Sequence, residues 1–176
     1  MVVAKAPEGS VKYHEVHILK PEQPRVLTGE LKADGSTESV SCGTCHSTKE
    51  PNLALASSAG LKEFHTGMKF SHGNLSCLSC HNATNYDELK LADGRGVSFP
   101  DVMTLCAQCH GPQHRDFQRG SHGGMTGYWD LSKGPRTRNH CVTCHDPHSP
   151  AYPKMMPVFK PLDTTPKSPH GSDSKH

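Results

Sequence analysis

Hydrophobic positions along the chain are sparse, and few of them recur at the spacing of a regular element. The clearest periodicity lies in residues 99–110, where Phe99, Val102, Met103 and Cys106 share a helical face and Asp101 falls in the first turn. A second short helix is predicted within residues 53–68. No stretch alternates convincingly enough to predict a strand, and no run of about 18 apolar residues predicts a membrane span. The pattern therefore predicts a mostly irregular backbone with short α-helices.

The composition explains why so little regular structure is predicted. Of the 176 residues only 33% are hydrophobic and 6% aromatic, and there are 16 Gly and 14 Pro. Such a chain buries too little apolar surface to offset the entropy of ordering it, so it needs disulfides, metals or a large cofactor. Eight Cys and 14 His supply the material, and a net charge of +2 gives no basic field of the kind that binds nucleic acid.

All eight cysteines lie in four C-x-x-C-H motifs, numbered here in chain order. They are motif 1 (CGTCH, 42–46), motif 2 (CLSCH, 77–81), motif 3 (CAQCH, 106–110) and motif 4 (CVTCH, 141–145). The same spacing separates motif 1 from motif 2 and motif 3 from motif 4, and ELKADG (30–35) and HTGM (65–68) reappear as ELKLADG (88–94) and HGGM (122–125). We interpret residues 30–85 and 86–149 as tandem two-motif modules, flanked by arms at 1–29 and 150–176.

C-x-x-C-H is the attachment signature of haem c, because two thiols at this spacing reach the two vinyl groups and the next histidine lies beneath the iron. Zinc binding and disulfides are the alternatives for a C-x-x-C pair, but histidine follows every pair here. The sequence therefore predicts four covalently bound haems as cofactors. The predicted thioether cysteines are Cys42, Cys45, Cys77, Cys80, Cys106, Cys109, Cys141 and Cys144, and the predicted proximal iron ligands are His46, His81, His110 and His145.

The motifs, together with CHDPH (144–148), give the chain a resemblance to the multihaem c-type cytochromes, and within them to the tetrahaem cytochrome c3-like group. The resemblance covers about residues 42–148. It implies a small-core multihaem fold organised around four covalently bound haems in two dihaem modules. It also implies mostly bis-histidine ligation and transfer of electrons one at a time outside the cytoplasm.

Ten further histidines compete for the sixth position of each iron. His65 and His122 are equivalent in the repeat, and His72 precedes motif 2 by five residues, where the resembling family often places a distal ligand. His148 follows His145 by three residues and is placed to reach a neighbouring iron. These four are the predicted distal ligands, with His140 and His114 as alternatives. His14 and His17 are predicted to lie in an exposed arm, and His170 and His176 receive no role.

We expect an electron-transfer protein rather than an enzyme, because two axial histidines close an iron to other ligands, and no catalytic residues are predicted. The polar arms favour a redox-protein partner, as a subunit of a larger membrane-associated oxidoreductase. A freely diffusing carrier, a polymerising haem wire and a nitrite- or hydroxylamine-type enzyme with one open haem are the alternatives. Haem c is attached after export, so a periplasmic or extracytoplasmic location is expected, although residues 1–10 do not resemble a signal peptide.

Overall fold

A computed structural model describes residues 11–55 and 57–152 as a small mixture of short helices and short strands. The strands are β1 (Val16–Ile18), β2 (Val26–Leu31), β3 (Thr37–Val40), β4 (Leu89–Lys90), β5 (Gly96–Val97), β6 (Met125–Gly127) and β7 (Arg136–Arg138). The α-helices are α1 (Gly43–His46), α2 (Met103–Cys109), α3 (Gly111–Arg119) and α4 (Cys141–Cys144). Single 3-10 turns cover Ser58–Gly60, Glu63–His65, Cys77–Ser79 and Phe99–Asp101. Within these residues no helix has the length and apolarity needed to cross a bilayer.

The strands form three small sheets, although no alternating pattern in the sequence was convincing enough to predict a strand. The order β1-β7-β6 makes one sheet, in which β1 is parallel and β6 antiparallel to β7, while β2-β3 and β4-β5 are antiparallel pairs. Strands of two to six residues are too short to display a clear alternation in sequence. Because β1 pairs with β7, part of the predicted N-terminal arm docks on the second predicted module.

Of the two predicted helices, the structure contains one. The helix predicted at 99–110 is confirmed, since a 3-10 turn at Phe99–Asp101 leads directly into α2. The one predicted within 53–68 was wrong, because the structure has two separate 3-10 turns there. Between them Leu61 and Lys62 are extended, and Glu63 adopts a positive φ of 53°, which no α-helix accommodates.

The buried apolar core is as small as the composition predicts. In the described part of the chain the buried hydrophobic side chains are Leu89, Leu91, Val102 and Phe117, and none of the large side chains is less than 2% exposed. Phe117, on α3, packs against Gly123, where a Cβ atom would lie 3.1 Å from the ring. This core lies beside motifs 2, 3 and 4, so the motifs are held by a scaffold with few apolar contacts of its own.

Parts of both predicted arms lie outside the described residues. These are residues 1–10 of the first arm and residues 153–176 of the second, including His170 and His176.

Candidate functional site

The four motifs share one backbone feature, although they lie on different elements. In each, the N–H of the histidine donates to the carbonyl of the first cysteine, at 3.0 Å for His46, 3.0 Å for His81, 2.9 Å for His110 and 2.9 Å for His145. This bond closes one helical turn over the motif. Positions i, i+3 and i+4 then share a side of the turn, so both thiols and the imidazole project together.

Each motif histidine lies opposite one other histidine, and the four partners are His65, His148, His72 and His122. We define pair 1 as His46–His65, pair 2 as His81–His148, pair 3 as His110–His72 and pair 4 as His145–His122. The ring centroids are 5.9 Å apart in pair 1, 6.2 Å in pair 2, 6.0 Å in pair 3 and 6.3 Å in pair 4. The ring planes are within 20° of parallel in pairs 2, 3 and 4 and at 78° in pair 1.

These separations are too large for rings in contact and suit a metal between them. The stacked rings of His46 and Tyr86 show the contact distance in this same protein, with centroids 3.9 Å apart. A metal bound to one nitrogen of each imidazole at about 2.0 Å would place the two centroids about 6 Å apart. Within residues 11–55 and 57–152, no three His, Cys, Asp or Glu side chains converge as a group that could hold a metal ion. In this part of the chain, the groups that could bind a metal together are therefore pairs of imidazoles.

Two of the paired histidines have one ring nitrogen fixed by a backbone carbonyl. His145 Nδ1 lies 2.8 Å from the carbonyl oxygen of Pro150, and His72 Nδ1 lies 3.1 Å from that of Pro147. A carbonyl only accepts hydrogen bonds, so Nδ1 carries a proton in both rings, and Nε2 is the nitrogen left to bind a metal. This arrangement orients metal-binding histidines in many proteins and makes them better ligands.

The electrostatics of pairs 1 and 2 also favour neutral imidazoles. Burial lowers the pKa of His81, and the neighbouring His148, His65 and His46 lower it further. Burial likewise lowers the pKa of His46, with smaller contributions from His65 and Lys49. At neutral pH both rings therefore hold an unprotonated nitrogen that can bind a metal.

All eight cysteines are free thiols, and Cys80, Cys106, Cys109 and Cys141 lie close enough to influence one another's pKa. A hydrogen bond from the Cys106 thiol lowers the pKa of Cys141 to about 7, and the same bond and burial raise the pKa of Cys106. Burial and the nearby Cys109 raise the pKa of Cys80. The thiols of three motifs therefore meet in one region, each within its own C-x-x-C-H turn.

Three structural links connect pair 2 to the other pairs. The segment 72–81 begins with His72 of pair 3 and ends with His81 of pair 2. The segment 145–148 begins with His145 of pair 4 and ends with His148 of pair 2. The Ser71 N–H donates to the His148 carbonyl at 2.8 Å, which holds these two segments together. His65 of pair 1 and His148 of pair 2 line one cavity of about 480 Å³. Pairs 2 and 3 also join the two predicted modules, which therefore interlock.

The alternative distal candidates lie elsewhere. His140 is 4% exposed, its Nδ1 atom has no hydrogen-bond partner, and the closest charges that act on its pKa are Lys20 and Asp101. His114 is half-buried on α3, and His14 and His17 are exposed, as predicted. None of these four rings lies opposite a motif histidine in the part of the chain that the structure describes.

Sequence reasoning missed Tyr86, which stacks on His46, and the buried Arg138, whose guanidinium lies 3.9 Å above the Phe117 ring. No signal in the sequence marks either residue, because both depend on contacts between distant segments. The chain matches no family model, no curated protein and no solved structure.

Proposed function

We propose that this chain binds four c-type haems and carries electrons one at a time between redox partners outside the cytoplasm. The observation that carries the proposal is the set of four histidine pairs. Each pair joins a motif histidine to one other histidine at 5.9–6.3 Å, without sharing a residue with another pair. Haem iron accepts two axial imidazoles and is held covalently by the two cysteines of C-x-x-C-H.

The residues present fit this cofactor in number, chemistry and position. Four closed motif turns each offer two thiols and one imidazole on the same side, and four further imidazoles face them. The small apolar core leaves room for large planar groups to supply packing that the side chains lack. Haem supplies reversible one-electron chemistry, and the chain's task is to position, ligate and shield it.

The links between the pairs support an order of transfer. Pair 2 adjoins pair 1 at a shared cavity and is joined to pairs 3 and 4 by the segments 72–81 and 145–148. We infer that pair 2 is the central site, through which an electron entering at pair 1 reaches pairs 3 and 4. The proximity of Cys106 to Cys141 adds a direct connection between the motifs of pairs 3 and 4.

Two observations bear on alternatives. An enzyme of the nitrite or hydroxylamine type needs an iron with an open position, whereas each motif histidine here has a second histidine opposite it. Exposed apolar side chains on the β2–β3 hairpin, Leu27 at 64% and Leu31 at 72%, favour a protein partner, as expected for a subunit of a larger oxidoreductase.

The decisive experiment is export of the chain in a host with haem c attachment machinery, followed by intact-mass measurement and spectroscopy. We expect the mass of the polypeptide plus four haems, an oxidised spectrum that is entirely low-spin, and a reduced spectrum that carbon monoxide does not change. A matched double variant, Cys77→Ala with Cys80→Ala, should lose one haem. The polypeptide mass plus zinc would contradict the proposal, and a high-spin haem that binds nitrite would favour the enzyme.

A further inference from the structure

A pocket lined by three arginines lies beside pair 4. It has a volume of about 450 Å³ and is formed where β7 meets the C-terminal end of α3. Arg119, Arg136 and Arg138 line it together with Val16 and Trp129, and none of the motif cysteines or paired histidines contributes to its wall. A pocket of this size is within the usual range for small-molecule binding sites.

Arg138 is the unusual member of this group, because its side chain is buried without a counter-charge. The residue is 6% exposed, and its Nε atom has no hydrogen-bond partner. One terminal nitrogen donates to the carbonyl of His122 at 2.9 Å, and the guanidinium stacks on Phe117. Burial and the charge of Arg136 lower the pKa of Arg138, but a guanidinium still keeps its proton at neutral pH.

Arg136 adds a second positive charge with poor internal partners. It lies two residues before Arg138 on β7, so both side chains project from the same face of the strand. Its Nε atom is buried and unpartnered, one terminal nitrogen lies 3.6 Å from the Met125 sulfur, and Trp129 lies 5.8 Å from its guanidinium carbon.

No carboxylate of the described chain compensates these charges. The acidic residues nearest in sequence to the pocket wall, Glu15, Asp130 and Asp116, form no ion pair within 4.0 Å with any of the three arginines, and neither does any other acid among residues 11–55 and 57–152. A buried guanidinium is costly unless an anion satisfies it, and its planar fork matches the two oxygens of a carboxylate.

We propose that this pocket is a carboxylate-binding site in which Arg138 and Arg136 hold the anion. The carboxylate has two possible sources. One is a propionate of the haem held at pair 4, and this source rests on the proposed function: β7 leads into motif 4 three residues later, and Arg138 binds the carbonyl of His122. The other is a small dissolved carboxylate that enters the pocket from solvent.

The test uses the haem-loaded protein and three variants, Arg138→Gln, Arg136→Gln and the control Arg115→Gln. Arg115 is exposed on α3 and does not line the pocket. Succinate binding is measured by calorimetry, and each haem is followed in a redox titration. If the carboxylate comes from solvent, the parent and Arg115→Gln bind succinate, and the two pocket variants bind it at least tenfold more weakly.

If the carboxylate is the propionate, the parent binds no succinate, and one haem of the four becomes harder to reduce in both pocket variants, because a positive charge has been removed from its edge. The site is overturned if the parent binds no succinate and all four haems titrate alike in parent and variants. If Arg138→Gln does not accumulate, succinate binding and the redox titration are measured on Arg136→Gln and Arg138→Lys instead. A preparation without haem contradicts the proposed function but still tests the pocket through succinate.

Discussion

The assignment of His148 to pair 2 makes a specific prediction about one iron among four. His148 faces only His81, so the variant His148→Ala removes the second imidazole from pair 2 and leaves pairs 1, 3 and 4 intact. Both thiols of motif 2 remain, so the protein should keep four haems. We expect about one quarter of the haem to become high-spin in the oxidised protein, and the same fraction to bind carbon monoxide once the protein is reduced with dithionite.

The substitution should change the spectrum without unfolding the protein. The His148 side chain is 34% exposed and its closest charged contact is Asp146 at 3.7 Å, while its backbone carbonyl, which accepts from Ser71, is retained in the variant. In the haem-free protein we expect a loss of about 0.5 kcal/mol in the free energy of unfolding, typical of a partly exposed side chain. The spectroscopic change would therefore report lost ligation rather than lost structure.

The matched control is His140→Ala, since His140 is the alternative ligand. Its side chain is 4% exposed, so its removal should cost more stability than that of His148, yet all four haems should stay low-spin. Paramagnetic resonance of the oxidised protein distinguishes the two variants. If His148→Ala remains entirely low-spin while His140→Ala gains one high-spin haem, the pairing is wrong.

Rapid-mixing reduction adds a second readout, because His148→Ala should slow electron equilibration between pair 1 and pairs 3 and 4.

Three further predictions concern the scaffold and the thiols. Phe117→Ala should lower the free energy of unfolding by about 3 kcal/mol in a denaturant titration, because the ring is buried, whereas Phe64→Ala, at a side chain 61% exposed, should cost well under half of that. In haem-free protein the neighbouring Cys106 lowers the pKa of Cys141, so iodoacetamide at neutral pH should label Cys141 first in a peptide-mass time course, and Cys106→Ala should abolish this preference. Burial lowers the pKa of His140 in the folded state, so the unfolded chain binds the proton more tightly and the free energy of unfolding falls as the pH drops below about 6.5. His140→Gln should reduce that fall between pH 7.5 and pH 5, and the same pH dependence in variant and parent would contradict this prediction.

The candidate ligands could be named from the sequence because their signals are local. C-x-x-C-H fixes two thiols and an imidazole within one turn, and the repeat relates His65 to His122. Which motif histidine each distal candidate would face was beyond sequence reasoning. Pair 2 brings His81 and His148 together, and a hydrogen bond from the Ser71 N–H to the His148 carbonyl holds the two segments in place. A contact between such distant segments leaves no periodic pattern in the sequence.

His140 shows how positional analogy failed to decide between candidates. It precedes motif 4 much as His72 precedes motif 2, but it adjoins Cys141 directly. In the structure its N–H donates to the Thr143 hydroxyl and its carbonyl accepts the Thr143 N–H, so it begins the turn of motif 4 and points into the interior. The strands were missed for a different reason: β1 and β7 pair across more than a hundred residues, and each spans only three.

The crossing of pairs between the modules also has a consequence for biosynthesis. A chain is made from its N-terminus, so His81 emerges long before its partner His148. Pairs 1 and 3 are complete once residue 110 is available and pair 4 once residue 145 is, while pair 2 waits for residue 148. Pair 2 is thus the last to be completed, and a polypeptide that ends between residues 145 and 148 would lack only the partner of His81.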